Sequence, residues 1–174
     1  AYASNSNDTL TLNAPTGFYL VVSGSVSLET KYDSLYIYDG ENTSATKLFG
    51  GSSATNGSTY AINTTSSGKS LTFRFKSDGS TNYSGLNLKV SVEPITYGII
   101  VADAAYGRVE SDKVKAAKDS IVNLSWVYTT GYLIKDIDVR DASNNKIAVN
   151  GGWYLGAKAN FKMPGSSVTV TPTF

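Results

Sequence analysis

The stretch Lys31-Tyr32-Asp33-Ser34-Leu35-Tyr36-Ile37-Tyr38-Asp39-Gly40 (KYDSLYIYDG) alternates with the period of a β-strand. On such a strand Asp33, Leu35, Ile37 and Asp39 share one face, and Tyr36 and Tyr38 share the other. Asp39 before Gly40 is turn chemistry that closes a strand. Asp33 has no such role. It stands at the entrance of an apolar face, soon after Glu29, and needs a partner or a cation.

The same texture extends along the chain. Its 174 residues suffice for one large domain or two small ones. Ser, Thr, Asn, Gly and Tyr abound, and β-branched and aromatic residues recur in short runs between turn residues, which predicts an all-β protein. The formal net charge is +1, so nucleic acid and anionic membranes are not favoured partners on charge alone. There is no cysteine and no histidine. Disulfides, thiol chemistry and the commonest general base are therefore absent. No apolar run approaches the roughly 18–20 residues of a membrane span. The polar opening AYASNSND is typical of a mature secreted protein, and together with the low charge it points to an extracellular bacterial protein.

Strand-like runs fall at 9–12, 18–22, 25–29, 34–38, 70–76 and 86–92, with loops expected at 50–58 and 63–68. Glu93-Pro94 interrupts this pattern, because proline cannot continue a ladder. The boundary predicted there divides the chain into domains 1–94 and 95–174. Further strands are expected at 97–102, 107–111, 120–128, 132–140, 146–149, 159–163 and 167–174. Residues 112–118 (DKVKAAK) form the only helix-like run, and it is too short to stand alone.

In the first domain, Ala14-Pro15-Thr16-Gly17, Ser27-Leu28-Glu29 and Tyr32 through Gly40 are followed by the motif from Lys69 to Ser80, and then by Tyr83-Ser84-Gly85. These motifs resemble a CUB domain over most of residues 9–93. The resemblance implies an antiparallel, jelly-roll-like sandwich of two sheets. It also implies a calcium site, with carboxylates from Glu29, Asp33 and Asp78, the backbone carbonyl of Ser80, and a side chain at Thr81 or Asn82. The chain departs from the family in a short 29–33 loop, in lacking the family's cysteines, and in Thr81 where Asn is common. Three carboxylates and a carbonyl make a hard oxygen cage that suits calcium and is poor for zinc. The plainer alternative is that Asp33 and Asp78 cap turns or pair with Lys31 and Lys76.

The second domain carries Gly131-Tyr132 through Val139, and Phe161-Lys162-Met163-Pro164 through Phe174. It resembles the small β repeat of multidomain bacterial surface proteins, related to the internalin B repeat. That resemblance implies a compact β module and transfers no residue role. Ile134, Ile137, Val139, Phe161, Val168, Val170 and Phe174 are its expected core.

Tyr36 and Tyr38, with Tyr83 in the same domain, are candidate ligand-contact aromatics, since planar rings among hydroxyls and amides suit a sugar. Tyrosines packing against sheet neighbours are the alternative. Trp126 with Tyr128, and Trp153 with Tyr154, offer the same two readings. Glu29 and Asp33 are more economically metal ligands than a glycosidase pair, and no catalytic residues are assigned. The expected function is a secreted, non-enzymatic binding or adhesion module, stabilised by calcium, for a glycan or protein at the cell surface. The alternative is a structural subunit that polymerises into a filament or surface layer, with residues 1–12 adding to a neighbour's sheet edge.

Overall fold

The computed structural model describes residues 1–153 and 157–174; Tyr154 lies outside the described residues. The fold is all-β, and the described residues include no helix, hence none long and apolar enough to cross a membrane. Contacts divide the chain into two compact units, Ala1–Pro94 and Ile95–Phe174.

The first unit contains seven strands: β1 (Asn7–Asn13), β2 (Phe18–Ser27), β3 (Ser34–Asp39), β4 (Thr46–Gly51), β5 (Thr59–Thr65), β6 (Ser70–Lys76) and β7 (Gly85–Pro94). They form one sheet in the order β1-β6-β3-β4 and another in the order β5-β2-β7. All pairings are antiparallel. The alternation of β3 aims Leu35 and Ile37 inward, and both are fully buried. Leu71, Phe73 and Phe75 of β6 join Leu20, Val22 and Val26 of β2 and Ile62 of β5 in one core cluster. Side chains from both sheets thus share one interior, as in a sandwich. Phe49 of β4 stacks on Tyr60 of β5 with ring centroids 5.5 Å apart, bridging the two sheets.

Three local expectations change. The run split into 18–22 and 25–29 is a single strand, β2, which passes through Gly24 (φ +141°). The expected loops at 50–58 and 63–68 overlap the ends of β4 and β5. Their Ser, Thr, Asn and Gly content mimics turns, while Tyr60 and Ile62 still point into the core. The segment offered as an arm for a neighbour is also already engaged. Residues 7–13 are β1, paired with β6 along its whole length.

The second unit contains β8 (Thr96–Val101), β9 (Gly107–Ser111), β10 (Lys115–Ala117), β11 (Ile121–Tyr128), β12 (Asp136–Asp141), β13 (Lys146–Ile147), β14 (Val149–Gly151), β15 (Ala159–Lys162) and β16 (Val168–Thr173). Its sheets run β10-β8-β16-β12-β13 and β14-β15-β11-β9. β16 lies parallel to β8 and antiparallel to β12. Val109, Val122, Leu124 and Phe161 from one sheet pack with Ile137, Val139, Val168 and Val170 from the other. Trp126 and Trp153 lie against this core with ring centroids 6.0 Å apart. The helix-like run at 112–118 contributes β10 instead, where Ala116 is buried and pairs with Tyr97; the sheet ladder overrides a weak local preference. Of the strand expected at 132–140, only the part from Asp136 onward pairs. Before it the chain turns at Gly131 (φ +95°), with the Tyr132 N–H donating to the Thr129 carbonyl at 3.0 Å.

Candidate metal centre

Asp33 immediately precedes β3 and keeps the strand's inward phase, so its carboxylate enters the end of the sandwich. It is completely buried. Its Oδ1 accepts the Asp78 N–H at 3.0 Å, and its Oδ2 accepts the Tyr2 hydroxyl. The Asp33 N–H in turn donates to the Glu29 carbonyl at 3.3 Å, closing the short 29–33 turn. Within that turn Lys31 adopts φ +73°. Asp78 follows the end of β6 and accepts the Ser80 N–H on Oδ1 at 3.0 Å.

Glu29, Asp33 and Asp78 each place a carboxylate oxygen within 4.8 Å of the others'. Glu29 is only 7% exposed, yet its Oε2 has no hydrogen-bond partner among the described residues. Burial, followed by the charges of Asp78 and then Asp33, pushes the Glu29 carboxyl above the usual carboxylate range; a hydrogen bond from the Thr81 side chain acts in the opposite direction. Among the described residues no Lys or Arg forms an ion pair with any of the three acids. The alternative pairing with Lys31 and Lys76 does not form. Turn capping does occur, but it uses one oxygen of Asp78 and leaves Glu29 Oε2 unanswered. A buried, partnerless carboxylate oxygen beside two further carboxylates fits a cation in an all-oxygen site. The cluster can hold a metal ion.

Tyr2 is the member that sequence reading missed. Its hydroxyl accepts the Glu29 N–H at 3.2 Å while donating to Asp33, so it links two of the three acids. The ring packs edge-on against Phe75 with centroids 5.1 Å apart. Burial and the Asp33 hydrogen bond raise the Tyr2 phenol above its ordinary value, which keeps the donor proton in place. The rest of the N-terminal segment ties down the Asp78 loop. The Asn5 N–H donates to the Asp78 carbonyl at 2.6 Å, the Ser77 hydroxyl to the Ala3 carbonyl at 2.7 Å, and the Asn82 amide to the Ser4 hydroxyl at 2.8 Å. One aromatic residue in an otherwise polar opening was the available signal, and nothing local connected it to Asp33.

Ser80 lies in the Asp78 turn, and Thr81 follows at φ +54°. Tyr36 and Tyr38 are neighbours on the outer face of β3, with ring centroids 6.3 Å apart. Tyr83 is not in that row. It sits in the loop before β7 and covers Gly57 (φ +71°), where a side chain would run into its ring. No protein-family model and no curated protein sequence matches this chain.

Proposed function

We propose that the protein is a non-enzymatic, extracellular bacterial binding module for a glycan or protein, whose CUB-like first unit is stabilised by calcium. The carrying observation is Glu29 Oε2, buried without a partner beside the carboxylates of Asp33 and Asp78. Glu29, Asp33 and Asp78 would hold the ion, with Ser80 and Thr81 in the adjoining turn. Bound there, it would supply the positive charge that lets three carboxylates share one buried end of the sandwich. Calcium is favoured over a transition metal because the donors are oxygens and the chain has neither His nor Cys. The chain's own contribution is rigidity, since Tyr2 and the Asp78 N–H fix the Asp33 carboxylate from two sides. The second unit, similar to a bacterial surface repeat, serves as a compact spacer or interaction unit.

Calorimetric titration with calcium and thermal melting in a chelator test this reading. Binding should stabilise the first unit by about 2.7 kcal/mol at a hundredfold excess over the dissociation constant. The chelator should lower that unit's transition, and Asp78→Ala should abolish the difference. A chain that takes up no calcium and melts identically in chelator would sink the metal reading.

A further inference from the structure

The outer face of the β1-β6-β3-β4 sheet has a composition that the metal centre does not explain. Strand register places Thr9, Arg74, Tyr36 and Gly50 in one row across the four strands. The next row is Thr11, Thr72, Tyr38 and Lys47, and on the other side Asn7, Lys76 and Ser34 align. Gly50 is required there, because a Cβ would enter the Tyr36 ring, which lies across the β4 backbone. The Lys47 ammonium sits 5.7 Å from the centre of that ring.

The cations on this face are unanswered. The five ion pairs among the described residues all join residues of the second unit, so Lys47, Arg74 and Lys76 have no carboxylate partner. Arg74 donates through Nη2 to Asn7 Oδ1 at 3.1 Å, but its shielded Nε has no partner. None of the outward positions of the four strands is acidic. Asp39 ends β3, where its Oδ1 accepts the Ser67 N–H, and Glu41 follows, its carbonyl accepting from the Thr11 hydroxyl at 3.4 Å. The outer face of β5-β2-β7 differs, since its central positions are Ser23, Ser25 and Val21 with Lys89 and Asn63 beside them.

We propose that this face binds an anionic polysaccharide. Acidic groups on the polymer would meet Lys47, Arg74 and Lys76, and sugar rings would lie along Tyr36 and Tyr38 with their hydroxyls toward Thr9 and Asn7. Unpaired like charges on one face favour a ligand of opposite sign, and half-buried aromatic rings among hydroxyls suit the edges of pyranose rings. A sparsely charged polymer is favoured over a polyphosphate because the whole chain carries only +1. The inference deepens the binding-module reading and is independent of the calcium site.

The test is calorimetric titration of the full chain, in calcium, with hyaluronate, chondroitin sulfate, dextran and oligothymidine. Binding to a polyanionic glycan should weaken with added salt and fall by at least about tenfold in Lys47→Gln/Lys76→Gln. Those surface changes leave the core intact, and Lys89→Gln on the other sheet should bind as the parent does. Three outcomes overturn the proposal: equal affinity in the double variant, preference for oligothymidine over both acidic glycans, and no binding to either. Dextran binding that survives the charge changes but is lost in Tyr36→Ala also overturns it, while leaving the binding-module reading standing. Polyanion binding that persists in a chain indifferent to chelator supports this face and removes only the metal reading.

Discussion

Asp33 is the residue on which the first unit's loop end converges. Its carboxylate is held by a hydroxyl from Tyr2 and a backbone N–H from Asp78, groups that lie far from it in the sequence on either side. Tyr2→Phe keeps the ring on Phe75 and removes only the oxygen. The change leaves Asp33 Oδ2 and the Glu29 N–H short of a partner, at a cost of about 1–3 kcal/mol in a denaturant melt. On the calcium reading, the same variant should bind the ion about 10–100-fold more weakly, because a group that orients a ligand has been lost. Calorimetry separates the two effects. An unchanged affinity with reduced stability would make Tyr2 a packing residue only.

Two strands show how backbone and side chain share the work of an element. β2 pairs with β5 on one side and β7 on the other, and at Gly24 it passes so close to β7 that a Cβ would strike the Asn87 carbonyl. Gly24→Ala therefore adds both a clash and a strained φ, and should destabilise by about 1–3 kcal/mol in chemical denaturation. Faster amide exchange should be concentrated in β2 and β7. β15 contributes through its side chains instead. Phe161 is fully buried, and its partners across the sheet are Val122 on β11 and Val149 on β14. Phe161→Ala should cost about 3–5 kcal/mol, read from the second unit's unfolding transition.

The two units use their charges in opposite ways. In the second, Glu110, Asp112, Asp119, Asp138 and Asp141 are paired with cations or amides. The Lys162 ammonium, 3.0 Å away, holds Asp119 below its usual range, and Arg140, with Lys146 adding to it, does the same for Asp138. The Asn145 side-chain amide lowers Asp141. Each of these carboxyls binds a proton less readily folded than unfolded. Their stabilisation is complete above the unfolded carboxylate range near pH 4 and is lost as pH falls through the depressed values. The second unit's denaturation midpoint should decline in that acid window, and Asp138→Asn should flatten the decline. In the first unit three acids crowd together and three outward cations have no carboxylate partner.

Alternation, turn residues and composition were enough to determine an all-β chain and the shared inward phase of Leu35 and Ile37, because side-chain direction in a strand depends only on its period of two. The same period marked Asp33 as an acid on an apolar face. Three further features depended on tertiary structure. β5 hid in a Thr- and Asn-rich segment whose local signals are those of a turn, and only pairing with β2 decided it. The run at 112–118 became an edge strand because β8 supplied a ladder. Tyr2 reached Asp33, and Lys47, Arg74 and Tyr36 came to share one face, through sheet register. Register joins residues by the order in which strands pair, and that order is set by how both sheets bury their apolar faces together, which no short stretch of the chain specifies.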